Sequence, residues 1–340
     1  MRISVPNIPK SVLLAKSTAV KLLPAEAIDR VATFLAPGNT AVLTGAGISV
    51  DSGIRAYRGK DGRYMNPNYK PIFYHELVDE TAAGVRFRRR YWLRSFLGYP
   101  PVRDAQPNTS HYALAALQCS SHVSRIITQN VDGLHHKAIS TAWGPARIQH
   151  NVLELHGTLH RVRCSHGHLV DRNVFQQMLA TANPQWQAYA EEVERTGNQP
   201  RTNPDGDVAV EHLGISYESF VVPDCPRCLF EDRINSVFKP EVIFFGESIP
   251  EEWKEKSYHD IEVCDRLLLI GTTLATYSAF RVLRHAQQLH KPVLVINVGP
   301  TRADGVEGVE RIDMPSGAIL RQVATHLAYV RLLGCLSFVY

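Results

Sequence analysis

Gly45-Ala46-Gly47-Ile48-Ser49-Val50-Asp51-Ser52-Gly53-Ile54-Arg55-Ala56-Tyr57-Arg58 is the stretch on which the reading of this chain turns. It follows Thr40-Ala41-Val42-Leu43-Thr44, a short apolar and β-branched run with the character of a buried strand. A strand that breaks into Gly-Ala-Gly leaves room for backbone N–H groups to approach a pyrophosphate, with Ser49 and Ser52 following as caps or phosphate donors. Two glycines alone also suit a plain turn between strand and helix. The third glycine of the dinucleotide fingerprint is absent, since Val50 stands there. The continuation Gly53–Arg58 adds an aromatic ring and a permanent cation, a combination able to close over a ligand.

The same pattern recurs downstream. Arg125-Ile126-Ile127-Thr128 runs into Gln129-Asn130-Val131-Asp132-Gly133, and Asn151-Val152-Leu153-Glu154-Leu155 into His156-Gly157. Glu241-Val242-Ile243-Phe244-Phe245 runs into Gly246-Glu247, Arg266–Ile270 into Gly271-Thr272-Thr273, and Pro292–Ile296 into Asn297-Val298-Gly299. Six apolar strands thus end in polar or glycine residues, with helical stretches between most of them. In a parallel sheet those carboxyl ends share one edge, where ligands bind. The expected fold class is α/β, a doubly wound Rossmann-like parallel sheet, with one site assembled from many loops.

Taken in order, Gly45-Ala46-Gly47-Ile48-Ser49, Tyr57-Arg58, Gln129-Asn130-Val131-Asp132, Leu155-His156-Gly157, Phe245-Gly246-Glu247 and Gly271-Thr272-Thr273 resemble the motifs of the sirtuins, NAD-dependent protein-lysine deacylases. The resemblance covers residues 41 to about 320. Arg90–Tyr99 and Asn297–Arg302 are most similar to the mitochondrial class II branch, associated with lipoamidase, deacylase and ADP-ribosyltransferase activities. What the family implies is NAD and zinc as cofactors and acylated-lysine proteins as substrates. It also implies a two-part plan: a Rossmann-like NAD-binding domain from 25–59, 106–158 and 240–340, and a smaller zinc-binding and helical domain. The smaller domain would take its helical part from 60–105 and a zinc module with a long insertion from 159–239.

Composition sets bounds on this reading. At 340 residues, 44% apolar and 21% charged, the chain suits a soluble globular protein with a large and a small domain. A net charge of +4 does not suggest nucleic acid. Arg86–Arg90 holds four arginines in five positions, which reads as a solvated helix face. No 18-residue apolar run is present, so no membrane span is expected. Residues 1–24 carry Arg2, Lys10, Lys16 and Lys21 and no acid, which suits a mitochondrial presequence or a flexible arm. The expected location is the mitochondrial matrix, with nucleus or cytoplasm as the alternative.

Cys225-Pro226-Arg227-Cys228 is a C-x-x-C knuckle able to offer two thiolates to a tetrahedral zinc. The family places a second pair near Arg163-Cys164-Ser165-His166-Gly167-His168, but Gly167 stands three after Cys164. Either the site is lost or a histidine completes a Cys3His set. His168 is expected over His166, because a spacing of two points side chains oppositely in an extended segment. The expected ligands are therefore Cys164, His168, Cys225 and Cys228. Cys119, Cys264 and Cys335 read as small buried apolar residues in a reducing compartment. Residues 196–207 are rich in Gly, Asn, Pro, Asp and Thr and read as loop, after a helical spacing over 174–194 with Trp186 and Tyr189 as packing residues.

The family resemblance also assigns roles. His156 would be the general base, an imidazole whose ordinary pKa near ~6.5 leaves it mostly neutral at cytoplasmic or matrix pH. Gln129 and the catalytic Asn130 would hold the nicotinamide ribose, and Asp132 the nicotinamide carboxamide. Gly45, Gly47, Ser49, Gly271, Thr272 and Thr273 would bind the cofactor, with the Thr272 hydroxyl on phosphate. Ala46, Ile54 and Tyr57 would form wall and lid, Arg58 would position the nicotinamide ribose and phosphate, Asn297 would reach the adenosine ribose, and Gly317-Ala318 would lie near adenine. Ala56 stands where the family usually has aspartate, a change that would loosen the lid. Val242 and Phe245-Gly246-Glu247 would take the substrate peptide as an added strand. Tyr91 and Arg94 form the Tyr-x-x-Arg of sirtuins that accept acidic acyl groups, or simply share a helix face. A protein ADP-ribosyltransferase using the same site and a weakly catalytic NAD-sensing protein are the alternatives.

Overall fold

The computed structural model describes residues 6–14, 19–20, 22–58, 62, 71–197, 216–234 and 236–336. Ten strands occur among them: β1 (Ala19–Val20), β2 (Thr40–Thr44), β3 (Val123–Thr128), β4 (Val152–Glu154), β5 (Gly157–Cys164), β6 (Leu169–Asp171), β7 (Phe238–Val242), β8 (Arg266–Ile270), β9 (Val293–Ile296) and β10 (Val309–Ile312). Contacts divide the chain into two units. The larger spans Pro6–Gly62, Ala105–Leu155 and Ile249–Tyr340, and the smaller includes Arg63–Asp104 and His156–Ser248.

The larger unit is built on a parallel sheet of order β1-β10-β9-β8-β2-β3-β4. Its central strands carry unbroken apolar runs, Ala41–Leu43, Leu267–Ile270 and Val293–Ile296, because both faces are covered. Val42, Leu268 and Ile270 pack with Val31, Leu35, Leu114 and Leu320 in one core. Ala41, Leu43, Leu267 and Leu269 pack with Ile261, Val282 and Leu283 in the other. The first core draws on helices Pro24–Leu35, Thr109–Cys119 and Ser316–Leu336, the second on Glu251–Glu262 and Tyr277–Gln288. Each fully buried Leu, Ile or Val contributes roughly 1.5–3 kcal/mol, so a strand like β8 cannot tolerate an alternating polar pattern. The strand order turns at β2 and β8: β3 and β4 lie to one side, β9, β10 and β1 to the other. A doubly wound sheet opens its ligand crevice at the carboxyl ends of such a pair.

The smaller unit carries an antiparallel sheet of order β6-β5-β7. Its core contains Trp92, Phe96, Val162, Phe175, Trp186, Phe220 and Phe238. Trp92 Nε1 donates to Phe238 O at 3.2 Å. Arg172, 1% exposed, lies 4.3 Å from the Tyr99 ring centroid and donates to Gln176 Oε1 and Ser95 O. Burial pushes its pKa down to about 10.

Several sequence-based expectations change here. Glu241–Phe245 is not a strand of the parallel sheet; β7 ends at Val242 and pairs antiparallel with β5. Glu241, 6% exposed, faces Arg161 at 2.6 Å and also pairs with Arg163, so two β5 cations compensate its burial. Consequently 156–158 and 240–248 group with the smaller unit and not with the Rossmann-like one. Beyond β9 the parallel sheet gains β10, and Ala19–Val20 pair with Arg311–Ile312 as its edge strand, inside the stretch expected to be a presequence or an arm. The helical spacing over 174–194 is two helices, Arg172–Ala182 and Pro184–Thr196, broken at Asn183 because a residue before proline leaves the helical region. The arginine run is not a bare solvated face: Arg88 donates to Leu77 O and Asp79 O, and Arg89 to Glu218 O. Cys119 is exposed while Cys264 is buried. Of the expected loop 196–207, residues 198–207 lie outside the described residues.

Candidate active site

The loop after β2 is held down by backbone. Gly45 N donates to Ile270 O at 3.1 Å and Gly47 N to Gly271 O at 2.9 Å. A Cβ on Gly45 would stand 2.7 Å from Thr272 Cβ, and one on Gly47 2.8 Å from Gly271 O. Both glycines therefore serve the close approach of this loop to the end of β8. Residues Ala46–Ser52 form a 3₁₀ turn whose cap, Gly45, makes no side-chain hydrogen bond, so bare backbone heads the turn. Ile54, Ala56 and Arg58 are half-buried and Tyr57 is exposed; Arg58 donates to Pro6 O.

The residues after β3 lock onto that loop. Gln129 Nε2 donates to Thr272 Oγ1 at 2.8 Å and Thr44 O at 3.2 Å, while its Oε1 accepts from Thr276 Oγ1. Asn130 Nδ2 donates to Ser49 Oγ at 3.0 Å and Gly45 O at 3.2 Å. Ser49 in turn donates to Asp132 Oδ2 at 2.8 Å, and Asp132 Oδ1 accepts from Leu134 N. Ser49 is wholly buried and Asn130 and Asp132 nearly so. Thr272 Oγ1 also accepts from Leu274 N, and Leu274 sits in the left-handed region at φ 52. Such strain in a buried apolar residue concentrates at functional loops. Asn297 spends its amide donors on Val298 O and Gly299 O. Gly317 and Ala318 open the last helix, where a Gly317 Cβ would come 3.2 Å from Asp51 Oδ2.

Two histidines that the sequence did not single out stand behind this network. His111 Nδ1 accepts from Asn108 N at 3.3 Å, which puts the ring proton on Nε2, 3.4 Å from Ser49 Oγ. His135 Nε2 lies 2.9 Å from Thr44 Oγ1, which donates to Thr128 Oγ1 at 2.8 Å. The two rings are 4.9 Å apart, edge to face. Burial pushes His111 from 6.5 down to about 4, and pushes His135 down as well, helped by the charge of its histidine neighbours.

A pH dependence follows from the sign of that shift. Above pH 6.5 both folded and unfolded chains hold His111 neutral, and the stability is whole. Below it the unfolded chain takes a proton that the folded site refuses, so stability falls until about pH 4. Over the window the loss is about 3 kcal/mol for this residue. Urea titrations at pH 7.5 and 5.0 should show a drop smaller by about 2 kcal/mol in His111→Gln than in the unmodified protein; equal drops would refute the assignment.

His156 is the first residue of the smaller unit. Leu155 N donates to Thr128 O at 2.8 Å, His156 O accepts from Ile243 N at 2.9 Å, and Gly157 turns away at φ +77. Val242 pairs with Gly157. The Phe245 carbonyl already accepts from Tyr74 N at 2.9 Å, and Phe245 bridges Phe73, so part of the expected peptide edge is used internally. Gly246 has φ +84. Glu247 is committed to Lys239 Nζ at 3.0 Å and Phe244 N at 3.0 Å. Tyr91 and Arg94 are half-buried on helix Ala82–Asp104, with Tyr91 edge-on to Phe244 at 5.8 Å.

Also in the smaller unit, ligand atoms of Cys164, His168, Cys225 and Cys228 all lie within 4.8 Å of one another. Cys164 Sγ is 3.6 Å from Cys228 Sγ. Burial, with the two neighbouring thiols, pushes the Cys228 thiol up, while backbone N–H groups of His168 and His166 bring the Cys164 thiol down despite its burial. Three thiolates and an imidazole at this spacing fit a tetrahedral zinc.

The sequence signature described as the Sir2 family matches residues 45–278. The NAD-dependent protein deacylase SIR4 of Batrachochytrium dendrobatidis is 42% identical over 293 residues, covering 85% of this chain and 90% of that protein. The NAD-dependent protein deacylase Sirt4 of Drosophila melanogaster is 36% identical over 286 residues, covering 83% and 82%. A structure solved in work on the mechanism and regulation of Sir2 enzymes aligns at TM-score 0.61 and 26% identity, over 90% of this chain and 99% of that one. A Sir2 homologue–NAD complex shares the fold at TM-score 0.59 and 22% identity, over 89% and 94%. The chain belongs to the Sir2 family, the sirtuins.

Proposed function

We propose that this sirtuin is an NAD-dependent protein-lysine deacylase, transferring the acyl group of an acyl-lysine to ADP-ribose with release of nicotinamide. The observation that carries the reading is the network at the turn of the sheet, where Ser49, Asn130 and Asp132 are locked together under the Gly45–Gly47 loop. A dinucleotide laid across the β2 and β8 ends would meet backbone at Gly45, Ala46, Gly47 and Gly271 and hydroxyls at Thr272 and Thr273. Gln129 and Asn130 would address the nicotinamide ribose, Asp132 the carboxamide, Asn297 the adenosine ribose through its carbonyl oxygen, and Gly317-Ala318 the adenine. Ile54, Tyr57 and Arg58 would close over it.

When bound, NAD supplies a ribosyl carbon already joined to a cationic leaving group, so no residue has to protonate nicotinamide. The protein's work is placement and one proton transfer. His156 would accept that proton from a ribose hydroxyl. The Val242–Glu247 segment would hold the peptide, with Lys239 bracing Glu247. Zinc on Cys164, His168, Cys225 and Cys228 would brace the module that carries this segment.

For the acyl group we favour the acidic class, read from Tyr91 and Arg94, because a guanidinium–carboxylate pair is charge-assisted and worth ~1.5–3 kcal/mol. The class II likeness and the acid-free first 24 residues support a mitochondrial location. Because Ala19–Val20 form β1, a cleaved leader would have to end upstream of Ala19.

Nicotinamide release from NAD tests the reading, using lysine peptides bearing acetyl, succinyl, glutaryl, 3-hydroxy-3-methylglutaryl, lipoyl and myristoyl groups. Release that depends on one acyl class supports it and names the pocket. Transfer of labelled ADP-ribose onto protein, with every acyl peptide left intact, would overturn it in favour of a transferase.

A further inference from the structure

We infer that Glu231 is the positioning residue of the metal centre, holding His168 so that its Nδ1 is the fourth ligand atom beside three thiolates. The inference rests on the zinc reading above.

The two ring nitrogens of His168 face different chemistry. Nδ1 lies 3.5 Å from Cys225 Sγ and 3.3 Å from Cys228 Sγ. Nε2 lies 3.4 Å from Glu231 Oε2. An imidazole that ligates through one nitrogen carries its proton on the other, and a carboxylate against that N–H fixes tautomer and ring plane and strengthens the ligand. Glu231 is itself held: Arg227 Nε is 3.0 Å from Oε1 and Arg233 Nε 2.8 Å from Oε2. The backbone ties these parts together, because Glu231 N donates to Arg227 O and Arg233 N to Cys228 O. Two thiol ligands, the carboxylate and both arginines therefore belong to one short segment, Cys225–Arg233.

His166 is the competing histidine. Its Nδ1 is 3.4 Å from Cys228 Sγ, but its side chain is exposed and Ser165 Oγ lies 3.4 Å from the same nitrogen. Among the described residues no carboxylate faces its ring. The same clamp explains how the knuckle tolerates Gly167 where the family has its second cysteine. The donor moves one residue along, and an acid outside the thiol cluster supplies the orientation that a thiolate does not need.

The full chain can be tested with Zn²⁺ and Co²⁺ as probes, reading metal content, affinity against a competing chelator, and the Co²⁺ ligand-field bands. His168→Ala should lose the metal and His166→Ala keep it. Glu231→Gln should weaken Zn²⁺ binding about 10–100-fold with its stoichiometry retained. His168→Cys should bind tightly with Co²⁺ bands at lower energy, and in that background Glu231→Gln should change affinity little. Equal weakening by Glu231→Gln in both backgrounds would overturn the positioning role and leave zinc in place. Retention by His168→Ala with loss in His166→Ala would overturn the donor assignment. An unmodified protein that binds neither ion would overturn the zinc reading itself.

Discussion

Replacing His156 by alanine will abolish acyl-lysine turnover while NAD still binds. The rate through a lost general base falls by ~10²–10⁴-fold, and the hydrogen bonds that shape the dinucleotide loop run among Ser49, Gln129, Asn130, Asp132 and Thr272. His156 enters at the end of that framework, one residue past the Leu155–Thr128 bond. Calorimetric titration with NAD, alongside nicotinamide release on the best acyl peptide, separates the two effects. Turnover surviving in the variant would sink the base assignment, and lost NAD binding would make His156 a structural residue.

Among the described glycines, Gly157→Ala should be the most damaging added methyl. Its φ of +77 disfavours any side chain, and the added Cβ would stand 1.9 Å from Glu241 O and 2.9 Å from its carbonyl carbon. That oxygen belongs to β7, paired to β5 on this very register, so relief requires the two strands to part. A loss of about 3–5 kcal/mol is expected. Gly197→Ala is the control: its φ is +67 but nothing lies within 4 Å, so only the left-handed backbone cost of roughly 1–2 kcal/mol applies. Urea midpoints for both variants decide it. Equal losses would mean that the β5–β7 contact relaxes freely.

Five parallel strands were legible because burial on both faces forces β-branched and leucine-rich runs. The sixth expected strand failed because an apolar run does not say which sheet it joins. Lys239-Pro240-Glu241 belonged to the same strand, and the partner that buries Glu241 is an arginine pair far upstream. Strand β10 escapes a sequence reading because Val309-Glu310-Arg311-Ile312 has two charged residues at its centre and so shows neither an apolar run nor alternation. Its Arg311 is only 3% exposed, satisfied by Asp304 and Asp313. At the site, the loop motifs named their own residues, but His111 and His135 are two among 15 histidines. Asn108 caps the helix that carries His111 three residues on, but Ser49 and Thr44, which give the two rings their place at the site, are partners that no local pattern links to them. His168 was reachable by spacing. Glu231 was not, since its role exists only once the ring's two nitrogens have been placed.

The strand order also dictates how this chain is assembled. Strand β2, which opens the Gly45–Gly47 loop, emerges early and can zip to β3, with β4 adding to β3, yet its other neighbour is β8, whose Arg266 pairs with Thr40. Until the ribosome has passed that point, one long edge of β2 has no partner, and the Gly45 and Gly47 amides lack the Ile270 and Gly271 carbonyls that seat them. Parallel pairings of such high contact order are slow, because loop closure must precede any gain. Nascent chains of this protein should therefore expose an apolar strand edge through most of their synthesis and depend on chaperones. Ligand competence should appear late and abruptly, when β8 docks.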